Sequence, residues 1–288
     1  MRFYIADAFS DTLFGGNPAG VVLLESGQPF PNDETMRKTA AELRYSETAF
    51  IRQLDEMTFN IRYFTPADEV DLCGHATIAS FHCLKEAALV KAGNIYTNRT
   101  LAGNLEIQIS EDSILMDMAN PQYLGSIDDK DDISRLYNVM GLDYDGAVTL
   151  TPQLISTGLP DIIMPLDTRR TLSAVRPDFD ALTELSVKYN VVGVHAFTLD
   201  TDDENITAHC RNFAPLYDID EEAATGTSSG ALTYYLVQNR ICDKNADCLF
   251  IQGEAMGRPS VIRSRVTEGK FIKVGGSAVI LAEGKINI

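Results

Sequence analysis

The chain has 288 residues, of which 45% are apolar and 23% charged, and its formal net charge is −17. That length suits two ordinary domains or one large one, and the composition is that of a globular chain rather than a disordered or fibrous one. The acidic balance, with no Lys/Arg stripe, argues against nucleic acid and anionic membrane surfaces as partners.

The N-terminus, "MRFYIADAFSDTLFGG", has acidic and turn residues where a signal peptide needs a continuous apolar core, and no later stretch approaches the roughly 20 apolar residues that span a bilayer. A cytoplasmic protein is expected. Phe3 to Ala8 reads as a strand, "GGNPAG" (Gly15 to Gly20) as a turn and "VVLL" as a second strand. Asn32 is a predicted N-cap, with Asp33 and Glu34 in the first turn of a helix running to about Leu43. "SETAFIR" and "MTFNIRYF" alternate as strands do, and the pattern turns helical from about His75 to Val90. "NLEIQIS" and "SILMDM" form a predicted hairpin.

"ANPQYLGSIDDKDD", Ala119 to Asp132, is rich in Pro, Gly and Asp and is the expected domain boundary. It divides a first domain, 1–120, from a second, 121–275, and leaves a last strand near 276–288 free to return to the first. The second domain should hold a short helix near Ile133 to Val139, strands near 146–157 and 161–166, and a helix from Asp178 to Tyr189. "VVGVHAFTL" and "ITAHCRNF" follow as strands, then a helix from about Gly226 to Asn239, then mostly strands. Strands and helices do not alternate regularly, so the predicted class is α+β with mostly antiparallel sheets.

Two segments repeat. "RYFTPADEVDLCGHATIASFHCL" aligns with "RNFAPLYDIDEEAATGTSSGALTYYL": Arg62 with Arg211, Phe64 with Phe213, Pro66 with Pro215, Val70 and Asp71 with Ile219 and Asp220. Three extra residues in the second copy bring Gly226 level with Gly74, and each copy runs on into an apolar helix. The simplest reading is two similar domains, each a curled sheet around one central helix. A helix start carries unpaired N–H groups and a partial positive charge, worth about 0.3–1 kcal/mol to an exposed anion and up to ~2 when partly buried. Two such starts facing each other would hold a small anionic metabolite despite the overall negative charge. Small residues at Gly74, Ala76, Gly226 and Ser228 would let it approach the backbone.

"DAFSDTLFGGNPAGVVLL", "SETAFI", "FTPADEVDLCGHAT" and "FAPLYDIDEEAATGTSSG" resemble the phenazine-biosynthesis PhzF-like family of the diaminopimelate epimerase fold. The resemblance covers nearly the whole chain. It implies an isomerase with its active site in the cleft between two similar domains, no metal and no organic cofactor, and a homodimer as a plausible assembly. The family's best understood activity is isomerisation of trans-2,3-dihydro-3-hydroxyanthranilate, and many members have no known substrate.

The acid/base carried over is Glu47, in "SETAF". Ala49, Phe50 and Ile51 beside it would desolvate the carboxyl and favour its neutral form. On pattern alone it reads first as a surface-facing residue of an alternating strand, and the resemblance reverses that order. His75 matches the family's cleft histidine, and a neutral imidazole there would orient substrate; read alone it is a cap or packing residue. His82 has no motif behind it. The second cleft motif, usually "DPATGS", is "EAATGT" here, Glu222 to Thr227. Glu222 is one methylene longer than the aspartate it replaces, Thr227 is β-branched and Ala223 replaces proline, which puts the substrate in doubt more than the fold. Glu222 is expected to bind a substrate amine or hydroxyl, and Thr227 a carboxylate. The loop reading of "GGNPAG", lining the cleft near Glu47, comes from the resemblance alone.

Two rival readings stay open. Epimerases of this fold use two facing thiols. Cys73 holds the first of those positions, but the second is Thr225, which cannot serve as an ionisable base. Alternatively, the scaffold is a non-catalytic binding protein for a metabolite or a partner. A zinc site is not expected, because Cys73 and His75 supply only two ligands. The five cysteines form no CxxC and no disulfide framework, and most should be buried apolar residues.

Overall fold

The structure is a computed structural model that describes residues 1–245, 247–267 and 272–288. It divides into two compact units, Met1–Asp117 with Gly275–Ile288, and Met118–Val274.

The first unit contains β1 (Arg2–Ala8), β2 (Asn17–Leu23), α1 (Asp33–Leu43), β3 (Thr48–Gln53), β4 (Thr58–Phe64), β5 (Glu69–Val70), α2 (Gly74–Glu86), β6 (Ile95–Thr100), β7 (Gly103–Ile109) and β8 (Ile114–Asp117). The second contains β9 (Gln122–Ser126), α3 (Lys130–Val139), β10 (Gln153–Ser156), β11 (Pro160–Leu166), α4 (Arg169–Ala174), α5 (Phe179–Tyr189), β12 (Gly193–Thr198), β13 (Ala208–Ala214), β14 (Ile219–Glu222), α6 (Gly226–Gln238), β15 (Asp247–Gln252) and β16 (Ser260–Val266). After β17 (Ile272–Gly276), the last strand, β18 (Ala278–Lys285), pairs antiparallel with β1.

The repeat is present as topology. In the first unit β18–β1 and β1–β2 are antiparallel, β2–β3 parallel, β3–β4 antiparallel, β4–β6 parallel and β6–β7 antiparallel. In the second, β9–β10 and β10–β11 are antiparallel, β11–β12 parallel, β12–β13 antiparallel, β13–β15 parallel and β15–β16 antiparallel. The same order of pairing is thus drawn twice. A short side strand, β5 on β4 and β14 on β13, leads to the central helix each time.

The central helices are buried nearly all round, as a helix enclosed by a sheet must be. Nine residues of α2, including every one from His75 to Phe81, are buried, and so are all from Ser228 to Thr233 in α6. Phe59 meets Phe81 edge-on at 5.7 Å under α2, and Phe197 meets Tyr235 at 5.4 Å under α6. The matched arginines do matched work. Arg62 forms a forked pair with Glu69 and stacks 5.2 Å from Phe64. Arg211 donates to both oxygens of Glu221 at 2.8 Å and lies 5.0 Å from Phe213.

Some local expectations shift. The helix expected to reach Val90 ends at Glu86, with Ala88 left-handed just beyond it. The strand expected from 146 begins only at Gln153, because Asp145 Oδ1 accepts from Ala147 N at 2.9 Å and Gly146 takes φ +77°. The boundary stretch Ala119 to Asp132 is not all linker: β9 lies inside it, paired with β10. The helix α4, which the pattern did not suggest, is capped by Thr168 Oγ1. None of the five cysteines is in a disulfide; four are buried and Cys242 is half-buried.

Candidate active site

In the first unit, Glu47 closes the turn that follows α1 and is the last residue before β3. It therefore precedes the alternating strand instead of lying on it. Its backbone is fixed by the parallel β2–β3 pair, with Gly20 N donating to Glu47 O at 3.4 Å. His75 is the second residue of α2 and is buried. Its Nε2 lies 3.3 Å from Glu47 Oε2 and 3.3 Å from Ser46 Oγ; its Nδ1 lies 3.3 Å from Asn17 Nδ2 and 3.4 Å from Cys73 Sγ.

This network assigns the imidazole proton. With Asn17 Nδ2 donating to Nδ1, the proton sits on Nε2 and points at Ser46 Oγ. Burial holds the ring below the usual histidine range, partly offset by the Glu47 carboxylate, so the neutral form is favoured. Glu47 Oε2 is near enough to His75 for a charge interaction, but it is a buried acceptor that lacks a hydrogen bond. An acceptor in that condition is open to an incoming hydrogen-bond donor.

The "GGNPAG" segment, expected as a turn throughout, is a turn only up to Gly16 and strand β2 from Asn17, and it reaches this cluster. Asn17, at the start of β2, is the residue that touches His75, and Asp7 Oδ2 pins the loop by accepting from Phe14 N at 3.1 Å. Gly16 takes φ +64°, and a Cβ there would meet Ala8 O at 2.2 Å, so only glycine fits the turn. Asn17 and Ser46 are site residues that sequence reasoning did not single out, although both lie inside the quoted motifs. Gly74, at the first position of α2, has open space around it: an added Cβ would meet nothing within 4 Å.

In the second unit, Glu222 ends β14 and its Oε2 accepts from Thr225 Oγ1 at 2.8 Å. Gln252 Nε2 donates to Glu222 O at 2.7 Å and to Thr225 Oγ1 at 3.0 Å. Gly226, Thr227 and Ser228 form the first turn of α6. Ser228 Oγ donates to Asp161 Oδ2 at 2.5 Å, and burial pushes that carboxyl up to about 6 against the bond from Ser228. Thr227 O accepts from Thr157 Oγ1 at 2.7 Å. The Ser228 hydroxyl is therefore committed inside its own unit. A surface depression lined by Asp131, Arg135, Asn138 and Asp178 contains none of the sequence-predicted residues.

One contrast separates the two central helices from the rest. Among the described residues, α1, α3, α4 and α5 are each capped by a side chain, from Asn32, Asp129, Thr168 and Asp178. The residues before α2 and α6, Cys73 and Thr225, make no side-chain cap hydrogen bond. A helix start without such a cap keeps its N–H groups for other acceptors.

A family profile described as phenazine biosynthesis-like protein matches residues 6–284. The chain belongs to that family. An uncharacterized isomerase of Bacillus subtilis is 33% identical over 282 residues, covering 95% of this chain and 94% of the relative. An uncharacterized isomerase of Clostridium acetobutylicum is 31% identical, covering 99% and 97%. A solved PhzF-family structure from Bacillus anthracis superposes with a TM-score of 0.85 at 28% identity, covering 100% of this chain and 99% of that one. A hydroxyproline epimerase from Agrobacterium vitis shares the fold alone, at 13% identity and a TM-score of 0.64. The architecture is thus the diaminopimelate epimerase-like α+β fold, and this member of the phenazine biosynthesis-like family is an isomerase. No helix among its described residues is long and apolar enough to cross a membrane.

The structure corrects the count of metal-ligating groups. Cys73 and His75 have a third neighbour, Glu47, with one ligand atom from each lying within 4.8 Å of the others.

Proposed function

We propose that this isomerase moves a proton within a small carboxylate-bearing, cyclic metabolite, with Glu47 as general acid/base. The observation that carries the reading is the Glu47 Oε2 atom: a buried acceptor without a hydrogen bond, 3.3 Å from a neutral His75, beside the uncapped start of α2. The Glu47 carboxylate takes a proton from carbon next to an electron-withdrawing group. The electron pair delocalises into that group, and the carboxylic acid returns the proton at another carbon of the same molecule. His75 Nε2–H turns from Ser46 to a substrate oxygen. Backbone N–H groups at Gly74 and Ala76 bind the substrate carboxylate, and Glu222, Thr227 and the backbone N–H groups of Gly226 and Ser228 are the proposed binding groups of the second unit. Such a transfer is redox-neutral and needs no organic cofactor. A cytoplasmic homodimer accompanies this reading, and light scattering checks the assembly.

The test is a panel of carboxylated metabolites incubated with the protein in D2O and read by mass spectrometry. Deuterium incorporation with isomerisation is expected for a cyclic carboxylate. Tight binding of a metabolite without incorporation would favour the non-catalytic binding reading instead.

The thiol reading has one observation in its favour, since Cys73 Sγ lies 3.4 Å from His75 Nδ1. It lacks a second ionisable thiol at Thr225, whose hydroxyl donates to Glu222. It gains only if Cys73→Ala loses activity that Glu47→Gln keeps.

A further inference from the structure

The start of α2 offers more than an acid/base pair. His75 Nε2 lies 3.3 Å from Glu47 Oε2 and 3.9 Å from Cys73 Sγ. A tetrahedral zinc ion, with Zn–N about 2.0–2.1 Å, Zn–O about 2.0–2.2 Å and Zn–S about 2.3 Å, separates nitrogen from oxygen by roughly 3.3–3.5 Å and from sulfur by roughly 3.6 Å. The nitrogen–oxygen edge already fits, the nitrogen–sulfur edge closes with a movement of a few tenths of an ångström, and the oxygen–sulfur edge falls within the 4.8 Å that bounds the three groups and closes by rotation of the Cys73 and Glu47 side chains. The donor set suits the ion too: a soft thiolate, an imidazole and a carboxylate, two of them anionic, on three ligands with a fourth position left for water.

We infer that Cys73 Sγ, His75 Nε2 and Glu47 Oε2 form a reversible Zn2+ site. Binding releases the Cys73 thiol proton to solvent. The imidazole proton leaves Nε2 for solvent and another is taken up at Nδ1, so Nδ1 becomes the donor. Asn17 then serves as the outer partner: its amide turns so that Oδ1, in place of Nδ2, faces Nδ1 and fixes the new tautomer. The bound metal takes Glu47 out of proton transfer, so zinc inhibits this isomerase. That consequence rests on the role proposed for Glu47; the binding itself does not.

Cobalt(II) titrated into the intact, chelator-treated protein under a phosphine reductant is the probe. One equivalent should give visible bands of a four-coordinate ion and a near-ultraviolet thiolate-to-cobalt band, both displaced by zinc. Cys73→Ser should abolish the thiolate band with circular dichroism unchanged, whereas Cys242→Ser, at a thiol in the other unit, should leave it. Asn17→Leu should weaken zinc binding about 10–100-fold. If Cys73→Ser misfolds, Glu47→Gln serves instead and should weaken the visible bands. An absent thiolate band in the wild type, or one that survives Cys73→Ser and vanishes in Cys242→Ser, overturns the site. Deuterium incorporation by the metal-free wild type is read separately, so loss of the metal site and loss of the Glu47 mechanism give different patterns.

Discussion

The starts of α2 and α6 come from one repeated pattern and have diverged in chemistry. At α2 the acid is Glu47, brought from the β3 turn, and one of its oxygens lacks a hydrogen bond beside a buried imidazole. At α6 both nearby acids have hydroxyl donors: Glu222 accepts from Thr225 and Asp161 from Ser228. Gln252 fixes the loop between them by bonding Glu222 O and Thr225 Oγ1. The first start keeps an uncommitted acceptor, the one proposed above to carry the proton, and the second has its acids and its loop held by hydrogen bonds. The repeated start thus leaves an acceptor open in one copy and engages its acids in the other.

Substituting the two acids breaks this comparison most sharply. Glu47→Gln should lower kcat by about 10²–10⁴ with KM nearly unchanged. Glu222→Gln should act mainly on KM. Steady-state kinetics of the two variants on the panel's substrate checks the split, and equal losses in kcat would erase the proposed division.

The matched arginines sharpen it next. Arg211 is the more buried, with its side chain 8% exposed against 21% for Arg62, and it also donates to Leu172 O and Val175 O. Glu221→Ala leaves that guanidinium without its anion and should cost about 3–5 kcal/mol in denaturant unfolding. Glu69→Ala should cost less, since Arg62 retains Asp33 at 2.9 Å and more solvent.

A third difference depends on pH. Asp161 is raised from 3.8 to about 6 by burial, so the folded chain keeps a proton that the unfolded chain has already lost. The unfolded state binds fewer protons in that window, and stability falls as pH rises from about 4 to about 6, then levels. Asp161→Asn should flatten that fall, on the order of 3 kcal/mol for a shift of this size. Thermal melts across pH 4 to pH 7 read it out.

The smallest effect concerns the caps. Asp129→Ala should destabilise by about 1 kcal/mol through loss of the α3 cap. Thr225→Ser, at a position whose side chain caps nothing, should change little in the same melt.

Much of this fold was legible because it rests on local pattern. The Asn32 cap, the two apolar helices and the order of strand, proline turn, acid and glycine in both copies are written in neighbouring residues. The Arg62–Glu69 and Arg211–Glu221 pairs were half legible. Both arginines stand out in the alignment, but their partners do not: Tyr63 pairs with Val70 and Asn212 with Glu222, so the three extra residues fall before Glu221, Glu69 is level with Glu221, and the match of Asp71 with Asp220 does not hold. What stayed hidden is long-range. Asn17 meets His75 across 58 residues, and Ser228 meets Asp161 across 67. No periodicity encodes which loop lands on which helix. The strand β9 was hidden for another reason: its residues are mostly exposed, so it lacks the alternation that marks a half-buried strand.

Proton transfer at position 47 is the centre of the account, and exchange measured at equal occupancy tests it most directly. Wild type and Glu47→Gln are saturated with the same substrate in D2O, with occupancy fixed by calorimetry. Loss of carbon deuteration in the variant at unchanged affinity is the expected result; deuteration at the wild-type rate would contradict it.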